Sequence, residues 1–295
     1  GASARRRTRC LLRNGKIRMN QRRMILAIAR QELTVHARNR WTIVIAVTFA
    51  ILVIAIATVG TLAEGFDGLQ SFRRTSTSLL NLVVTFIPLL ALIVGTISFT
   101  GDRGSAELLF SQPVGRGTVL LGKALGVVLS LWGSMLIGFV GAGSIILAGN
   151  GIDGLFPYIA LVLLSLLLGA VFVGIAVFAA VVSRRTTKAF GLALGLWFLF
   201  VLFYDLLVIG LVASLRGSAA TTLLFLSLFG NPVDMVRVAA LLSMENASVF
   251  GASGAALLRF LGGAWLSGVA LMVGLTAWIV VPLVLSHRLL RRQDL

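Results

Sequence analysis

The stretch LFPYIALVLLSLLLGAVFVGIAVFAAVV (Leu155–Val182) carries no charged side chain along its whole length. A helix needs roughly 20 consecutive apolar residues to cross a bilayer, and this stretch exceeds that length. The whole chain agrees with it, since 58% of the 295 residues are hydrophobic and only 12% are charged. Soluble domains are about half apolar and about a quarter charged. The sequence therefore predicts an all-α integral membrane protein.

Five more apolar segments, on either side of this stretch, are long enough to span a membrane. The six predicted spans are Trp41–Leu62, Ser78–Thr100, Val119–Ala148, Leu155–Val182, Ala189–Ala213 and Gly263–Ser286. No segment shows the ten-residue alternation of a membrane β-strand. We expect residues 41–286 to form one six-helix transmembrane domain.

The distribution of Lys and Arg predicts the orientation. With the N-terminus inside, the inner segments 1–40, 101–123, 183–188 and 287–295 hold 21 of the 26 basic residues. Positive charge concentrates in cytoplasmic loops, so both termini are expected in the cytoplasm. The net charge of +16 is then explained by basic residues that lie along the cytoplasmic surface of the membrane. Nucleic-acid binding is not expected, because the aromatic residues lie within the spans rather than on a basic folded face.

The two ends of the chain are predicted to lie outside the bilayer core. Residues 1–23 form a basic extension that we expect to be disordered, with Met19 or Met24 as alternative native starts. Residues 24–40 carry an apolar stripe at helical spacing among arginines, which indicates an interfacial helix. Residues 287–295 form a basic cytoplasmic tail. Cys10, the one cysteine, cannot form an internal disulfide.

Asp205 is the one acidic residue well inside a predicted span. A charge there costs about 2.5–3.5 kcal/mol unless it is paired or protonated. It could be a polar point on a transport path or in a proton relay. It could instead reach water or pair with a neighbouring helix, which its position about eight residues from the outer boundary favours. Beyond it, residues 214–262 form the only sizeable outer segment, expected to contain one or two short surface helices with a turn at Asn231-Pro232.

The run GTVLLGK (Gly117–Lys123) matches a phosphate-binding loop except at its last position, where Ala124 replaces Ser or Thr. No strand precedes it and a span follows it, so we do not expect a nucleotide there. His36 and His287 are the only histidines, and no metal-binding spacing is present. Without a nucleophile–base pair or paired carboxylates, the sequence predicts no catalytic residue, metal site or cofactor in this chain.

The segment after the second span reads GDRGSAELLFSQPVGRGTVLLGKALG (Gly101–Gly126). It resembles the first cytoplasmic loop of type-2 ABC-transporter permeases, which read G-T-L-E-L-L-L-S-x-P-V-S-R and then G-K. The resemblance implies that the loop 101–118 contains a coupling helix that docks into a separate ATPase, where ATP and Mg would be bound. The implied coupling residues are Asp102, Arg103, Gly104, Ser105, Glu107, Leu108, Pro113 and Arg116. A homodimer in the bacterial inner membrane is also implied.

Within that family, the fifth span and the outer motif NPVDMVRV (Asn231–Val238) are similar to permeases of nitrous-oxide-reductase maturation transporters. This likeness implies a role in assembling the copper–sulfur centre of that reductase, with a periplasmic copper-handling protein on the outer face. The implied contact residues are Asn231, Pro232, Asp234 and Arg237. The alternatives are a type-2 exporter of a drug, lipid or glycan, and a membrane scaffold that transports nothing.

Overall fold

The computed structural model describes residues 21–62, 68–100, 115–150, 155–183, 185–215, 217–244 and 251–292. These residues are helical, with short connections and no strand among them. The helices are α1 (Gln21–Arg38), α2 (Arg40–Leu62), α3 (Gly68–Thr100), α4 (Arg116–Asn150), α5 (Leu155–Ser183) and α6 (Thr186–Phe198). A π-helical turn (Leu199–Phe203) leads into α7 (Tyr204–Ala213), followed by α8 (Ser218–Gly230), α9 (Pro232–Ser243), α10 (Gly251–Leu261) and α11 (Ala264–Arg292).

Six of these helical stretches are long and apolar enough to cross a membrane, which confirms the predicted fold class. They are α2, α3, α4, α5, α11 and the continuous stretch Thr186–Ala213, which contains the π turn. Helices are favoured because a bilayer supplies no water to satisfy backbone N–H and C=O groups. Several spans extend beyond the predicted bounds: α3 begins at Gly68, α4 covers Arg116–Asn150 and α11 continues to Arg292.

The helix α5 is the centre of the bundle. Most of it is buried, and it contacts α3, α4, α9 and α11. Side-chain donors tie it to its neighbours, as where Tyr158 Oη donates to the Phe139 carbonyl of α4 at 2.5 Å. By contrast, the stretch Thr186–Ala213 is almost entirely exposed along its most apolar part. Of the six spans, α5 is therefore the best packed, whereas the fifth span (Thr186–Ala213) lies at the periphery of the bundle.

Small residues allow the spans to pack closely. A Cβ atom on Gly138 of α4 would lie 2.9 Å from the Ala50 Cα of α2. Phe49 and Phe139, one residue away on each helix, meet edge to face with centroids 5.6 Å apart. Van der Waals packing of this kind holds membrane helices together where lipid is as apolar as the side chains.

The segment 214–262 departs from the sequence expectation. The described part of 214–262 contains three helices, and α8 meets α9 at 103° across Asn231. The predicted turn at Asn231-Pro232 is present, but the prediction of surface helices is wrong for α9, which buries most of its residues against α5 and α11. A bent pair of short helices can enter the bundle because its own neighbours satisfy the backbone at the bend.

The N-terminal boundary also differs from the prediction. The expected extension 1–23 overlaps α1, which already begins at Gln21. Residues 1–20 lie outside the described residues. The helix α1 runs along the first turns of α4 and leaves Leu26, Leu33 and Val35 exposed. An apolar face left open at this position is typical of a helix in the membrane interface.

Candidate functional sites

The described borders of the predicted coupling segment lie at the end of the bundle that carries α1, which we call the α1 end. Asp102, Arg103, Gly104, Ser105, Glu107, Leu108 and Pro113 fall outside the described residues. Their borders are described: α3 ends at Thr100, and Arg116 is the first residue of α4. The Gly115 carbonyl accepts hydrogen bonds from the Thr118 and Val119 amides at 2.9 and 3.3 Å. The first hydrogen bonds of α4 thus start at the Gly115 carbonyl.

The helix α1 is seated on two glycines of α4. A Cβ atom on Gly122 would lie 2.8 Å from Ile28 Cβ and 3.0 Å from the Ile25 carbonyl oxygen. A Cβ atom on Gly126 would lie 2.5 Å from Glu32 Cβ and 2.8 Å from the Ala29 carbonyl oxygen. Gly122 and Gly126 have the G-x-x-x-G spacing that lets two helix backbones approach closely. Only glycine fits at either position while α1 stays where it is.

The contact between α1 and Gly122 gives a structural role to the run Gly117–Lys123, whose sequence is similar to a phosphate-binding loop. Gly117–Lys123 lies entirely within α4. A phosphate-binding loop needs backbone amides that point together at the ligand from a strand–loop–helix turn. At Gly122 and Lys123 the amides instead belong to a helix interior, and Gly122 serves as a contact surface for α1.

A polar cluster fixes α1 beside the glycine seat. Ser98 Oγ, near the end of α3, donates to Glu32 Oε1 at 2.5 Å. Lys123 Nζ lies 3.6 Å and His36 Nε2 3.7 Å from the same oxygen. Lys123 also lies over the Phe99 ring, 5.6 Å from its centroid. The cluster therefore joins α1, α3 and α4 directly beside the borders of segment 101–114.

Glu32 is held in its ionised form. Burial raises the pKa of Glu32, but hydrogen bonds with His36 and Ser98 and the Lys123 charge outweigh burial, so the net pKa lies below its ordinary value. Opposite charges and donors favour a carboxylate in this way. In the sequence, Lys123 counts only as one of the basic residues of the inner segment 101–123 that follow the positive-inside rule. The structure gives it a specific carboxylate partner.

A second polar cluster lies on the other half of the bundle, where α9 packs against the fifth span. Arg237 Nη1 lies 3.1 Å from Asp205 Oδ2 and 3.0 Å from Asp234 Oδ1. Asp205 and Arg237 are about as exposed as each other, at 41% and 34% of the side chain, whereas Asp234 is 15% exposed. Asp205 of the fifth span therefore has Arg237 of α9 as its charge partner.

Asn231 organises the bend between α8 and α9. Its Oδ1 accepts from the Val233 amide at 3.0 Å, which caps the N-terminus of α9. Its Nδ2 donates to Asp234 Oδ2 at 2.9 Å and to the Phe200 carbonyl at 3.0 Å. Pro232 follows as the first residue of α9, where its missing N–H costs nothing. The Asn231 side chain thus caps α9 and also donates a hydrogen bond to a backbone carbonyl of the fifth span.

The Phe200 carbonyl belongs to the π turn Leu199–Phe203. A π turn shifts the backbone ladder from i+4 to i+5 and leaves a carbonyl for an outside donor, a role that Asn231 fills. Directly after the turn, Tyr204 Oη donates to the Ser227 carbonyl of α8 at 2.6 Å. Trp278 of α11 donates to the Phe229 carbonyl at 3.0 Å. The π turn, α8, α9 and α11 are therefore locked together around the charged cluster.

The structure brings together four residues predicted separately for a transport path and for partner contact: Asp205, Asn231, Asp234 and Arg237. Asn231 and Pro232 are buried within the chain, so neither offers surface to an outer protein in this arrangement. Their observed role is to build the bend.

Sequence analysis missed Glu32, Ser98 and Tyr204, although the Gly122–Gly126 spacing could have located the α1 seat. In the described ranges, no group of three or more His, Cys, Asp or Glu could hold a metal ion.

Comparison with known proteins agrees with this architecture. Residues 26–295 match the family described as ABC-2 family transporter protein. A probable ABC transporter permease protein NosY from Stutzerimonas stutzeri is 36% identical over 283 residues, which cover 93% of this chain and 99% of the relative. Its counterpart from Pseudomonas aeruginosa is 35% identical over 284 residues, covering 92% and 99%. The six-span, all-helical chain therefore belongs to the ABC-2 family of transporter membrane proteins.

Proposed function

We propose that this chain is the permease subunit of an ATP-driven transporter that serves copper–sulfur-centre maturation of nitrous oxide reductase. The observation that carries the proposal is the similarity to two NosY permeases over 99% of their length. Two copies of the chain and two ATPase subunits form the core of the proposed complex. ATP and Mg bind to the ATPases, and a periplasmic protein rather than this chain handles the copper.

The α1 end is proposed to face the cytoplasm. Among the described residues it carries the basic last turns of α1 and α11, with Arg38, Arg291 and Arg292. Positive charge at one end of a helical bundle favours the cytoplasmic side. Six crossings return the chain to the side on which it started, so both termini are proposed to be cytoplasmic.

The segment 101–114 is proposed to contact the ATPase. It joins α3 and α4 at the α1 end, where Ser98 and Lys123 are linked to α1 through Glu32. A push on this segment would act on two spans and α1 together. Coupling requires that ATP-bound and ATP-free states of the partner contact the segment differently.

A detergent pull-down of the full chain, tagged and co-expressed with a candidate ABC ATPase subunit, tests the coupling role. Glu107→Arg should abolish or strongly weaken ATPase co-purification while membrane insertion stays unchanged. Arg259→Glu, a charge reversal in α10, is the matched control and should co-purify normally. Unchanged recovery of the ATPase with Glu107→Arg would refute this role for the segment.

The maturation role has a separate test in a strain that lacks this gene. Nitrous oxide reductase purified from that strain should lack its copper–sulfur centre, as measured by copper content and visible absorption. Plasmid-borne wild-type chain should restore both measurements. A reductase with full copper content in the deletion strain would overturn the maturation role and favour an exporter of a drug, lipid or glycan.

A further inference from the structure

A groove runs along the outside of the bundle between α1, α2 and α4. It has a volume of about 540 Å³, within the roughly 300–1,000 Å³ typical of ligand sites. Its walls are formed largely by aliphatic side chains, with Val47, Ile51 and Ile54 on α2 and Leu129 and Ile137 on α4. Such a surface accommodates a hydrocarbon chain.

The length of the groove matches one leaflet of a bilayer. Along α2 it extends from Thr42 to Ile54, which at the helical rise of 1.5 Å per residue is about 18 Å. Half of a hydrocarbon core of about 30 Å is about 15 Å. The groove therefore starts at the interface, beside α1, and ends near the middle of the membrane.

The interfacial end of the groove is polar and basic. His36 lines it and is 5% exposed, yet its Nδ1 atom has no hydrogen-bond partner. A buried polar atom without a partner is costly unless a ligand supplies one. Arg38 directly follows the lining residue Ala37, Arg40 lies two residues before the lining residue Thr42, and both arginines are exposed. Glu32, the nearby carboxylate, is already paired with Lys123, so the arginines present a net positive charge.

We propose that this groove binds one anionic glycerophospholipid from the leaflet on the α1 side. An acyl chain lies along α2 and α4, the phosphate lies near Arg38 and Arg40, and a headgroup hydroxyl donates a hydrogen bond to His36 Nδ1. Basic pockets between transmembrane helices on the cytoplasmic side bind anionic lipid headgroups. The choice of that leaflet rests on the proposed orientation. The lipid site itself does not depend on ATPase coupling or copper maturation.

Occupancy of this groove would brace α1 against α2 and α4. The glycine seat holds α1 to α4 from one side, and the lipid would fill the space left between α1 and α2 on the other. The lipid is thus expected to stabilise the position of α1. Anionic lipid content of the membrane would then affect coupling through α1.

Native mass spectrometry of the full-length chain tests the site. The protein is released from mixed micelles that contain equal amounts of phosphatidylglycerol and phosphatidylcholine. We expect one retained phosphatidylglycerol per chain and little phosphatidylcholine. In Arg38→Gln/Arg40→Gln the affinity for phosphatidylglycerol should fall by roughly 30-fold, as expected for the loss of two arginines at a membrane surface. Arg259→Gln is the charge control and should retain the lipid.

A second variant fills the groove without changing charge. Gly133 lines the groove, and a Cβ atom there would meet nothing within 4 Å, so Gly133→Leu should occupy the site and fold normally. Gly268→Leu, equally free of neighbours but on α11, is the matched control. Loss of the retained lipid in Gly133→Leu alone supports the proposal. Equal retention of phosphatidylcholine, unchanged lipid in both groove variants, or loss of the dimer with lipid retained in Gly133→Leu would overturn it.

Discussion

The Arg237 guanidinium bridges Asp205 of the fifth span and Asp234 of its own helix, with both contacts near 3 Å. The cluster thus contains two carboxylates and one cation at a depth where the fifth span is otherwise apolar. Removing Arg237 leaves two neighbouring carboxyl groups without their positive partner, whereas removing Asp205 keeps the Asp234–Arg237 contact. Substitution of Arg237 and substitution of Asp205 are therefore expected to differ in their effect on stability.

This asymmetry predicts the stability of two variants. Arg237→Gln should destabilise the chain by about 2–3 kcal/mol, less than the roughly 3–5 kcal/mol of a fully buried broken pair because the groups are partly exposed. Asp205→Asn should cost less than about 1 kcal/mol, as is usual for a largely exposed ion pair. Thermal unfolding in detergent measures both, with Arg259→Gln as a control. Equal losses for the two variants would contradict the proposed balance of charge.

The glycine seat predicts a local effect on α1. Gly126→Leu should push α1 away from α4 and cost about 1–3 kcal/mol by overpacking, because Glu32 Cβ and the Ala29 carbonyl occupy the space. Limited trypsin digestion should then cut faster at Arg30. Gly133→Ala, which meets no neighbour, should digest like the wild type. Identical digestion of Gly126→Leu would show that α1 does not rely on this seat.

The two functions of Asn231 can be separated by substitution. Asn231→Ser keeps an acceptor for the Val233 amide but loses the donor to the Phe200 carbonyl, whereas Asn231→Ala loses both. Loss of an N-cap costs about 0.5–2 kcal/mol, and an unsatisfied buried carbonyl about 1–3 kcal/mol. Alanine should therefore be the worse variant in thermal unfolding. If serine and alanine were equally damaging, the cap would contribute nothing measurable.

Glu32 predicts a pH dependence of stability. Its folded pKa lies below the ordinary value of 4.5, so its contribution is fully present above about pH 4.5 and is lost as pH falls through the folded pKa. The stability difference between wild type and Glu32→Gln should be constant near neutral pH and shrink below pH 4.5. Both proteins should keep His36, because its hydrogen bond with Glu32 is one of the causes of the lowered pKa. A difference that widened in acid would reverse the assigned sign.

Long-range patterns of the sequence located the spans, and the structure shows why other features escaped. Apolar runs such as Leu155–Ser183 are set by the bilayer, so hydropathy alone identifies them. The burial of α9 was missed because Asp234 and Arg237 interrupt its apolar residues. Charged residues in a short helix indicate an exposed surface, and only the structure shows that Arg237 pairs with Asp205 of the fifth span. Similarly, Lys123 read as a loop anchor because Glu32 is distant in sequence. Pairings between elements arise from packing, which no local pattern records.

The π turn at Leu199–Phe203 has a consequence for how this span can change during evolution. A π turn holds one residue more than the α-helix it interrupts, and each helical residue turns the chain by about 100°. Deleting a single residue in the turn would restore a regular helix and rotate everything beyond it, so that Asp205 would face away from Arg237. Substitutions can weaken this polar cluster gradually, whereas an in-frame loss of one codon would dismantle it in one step.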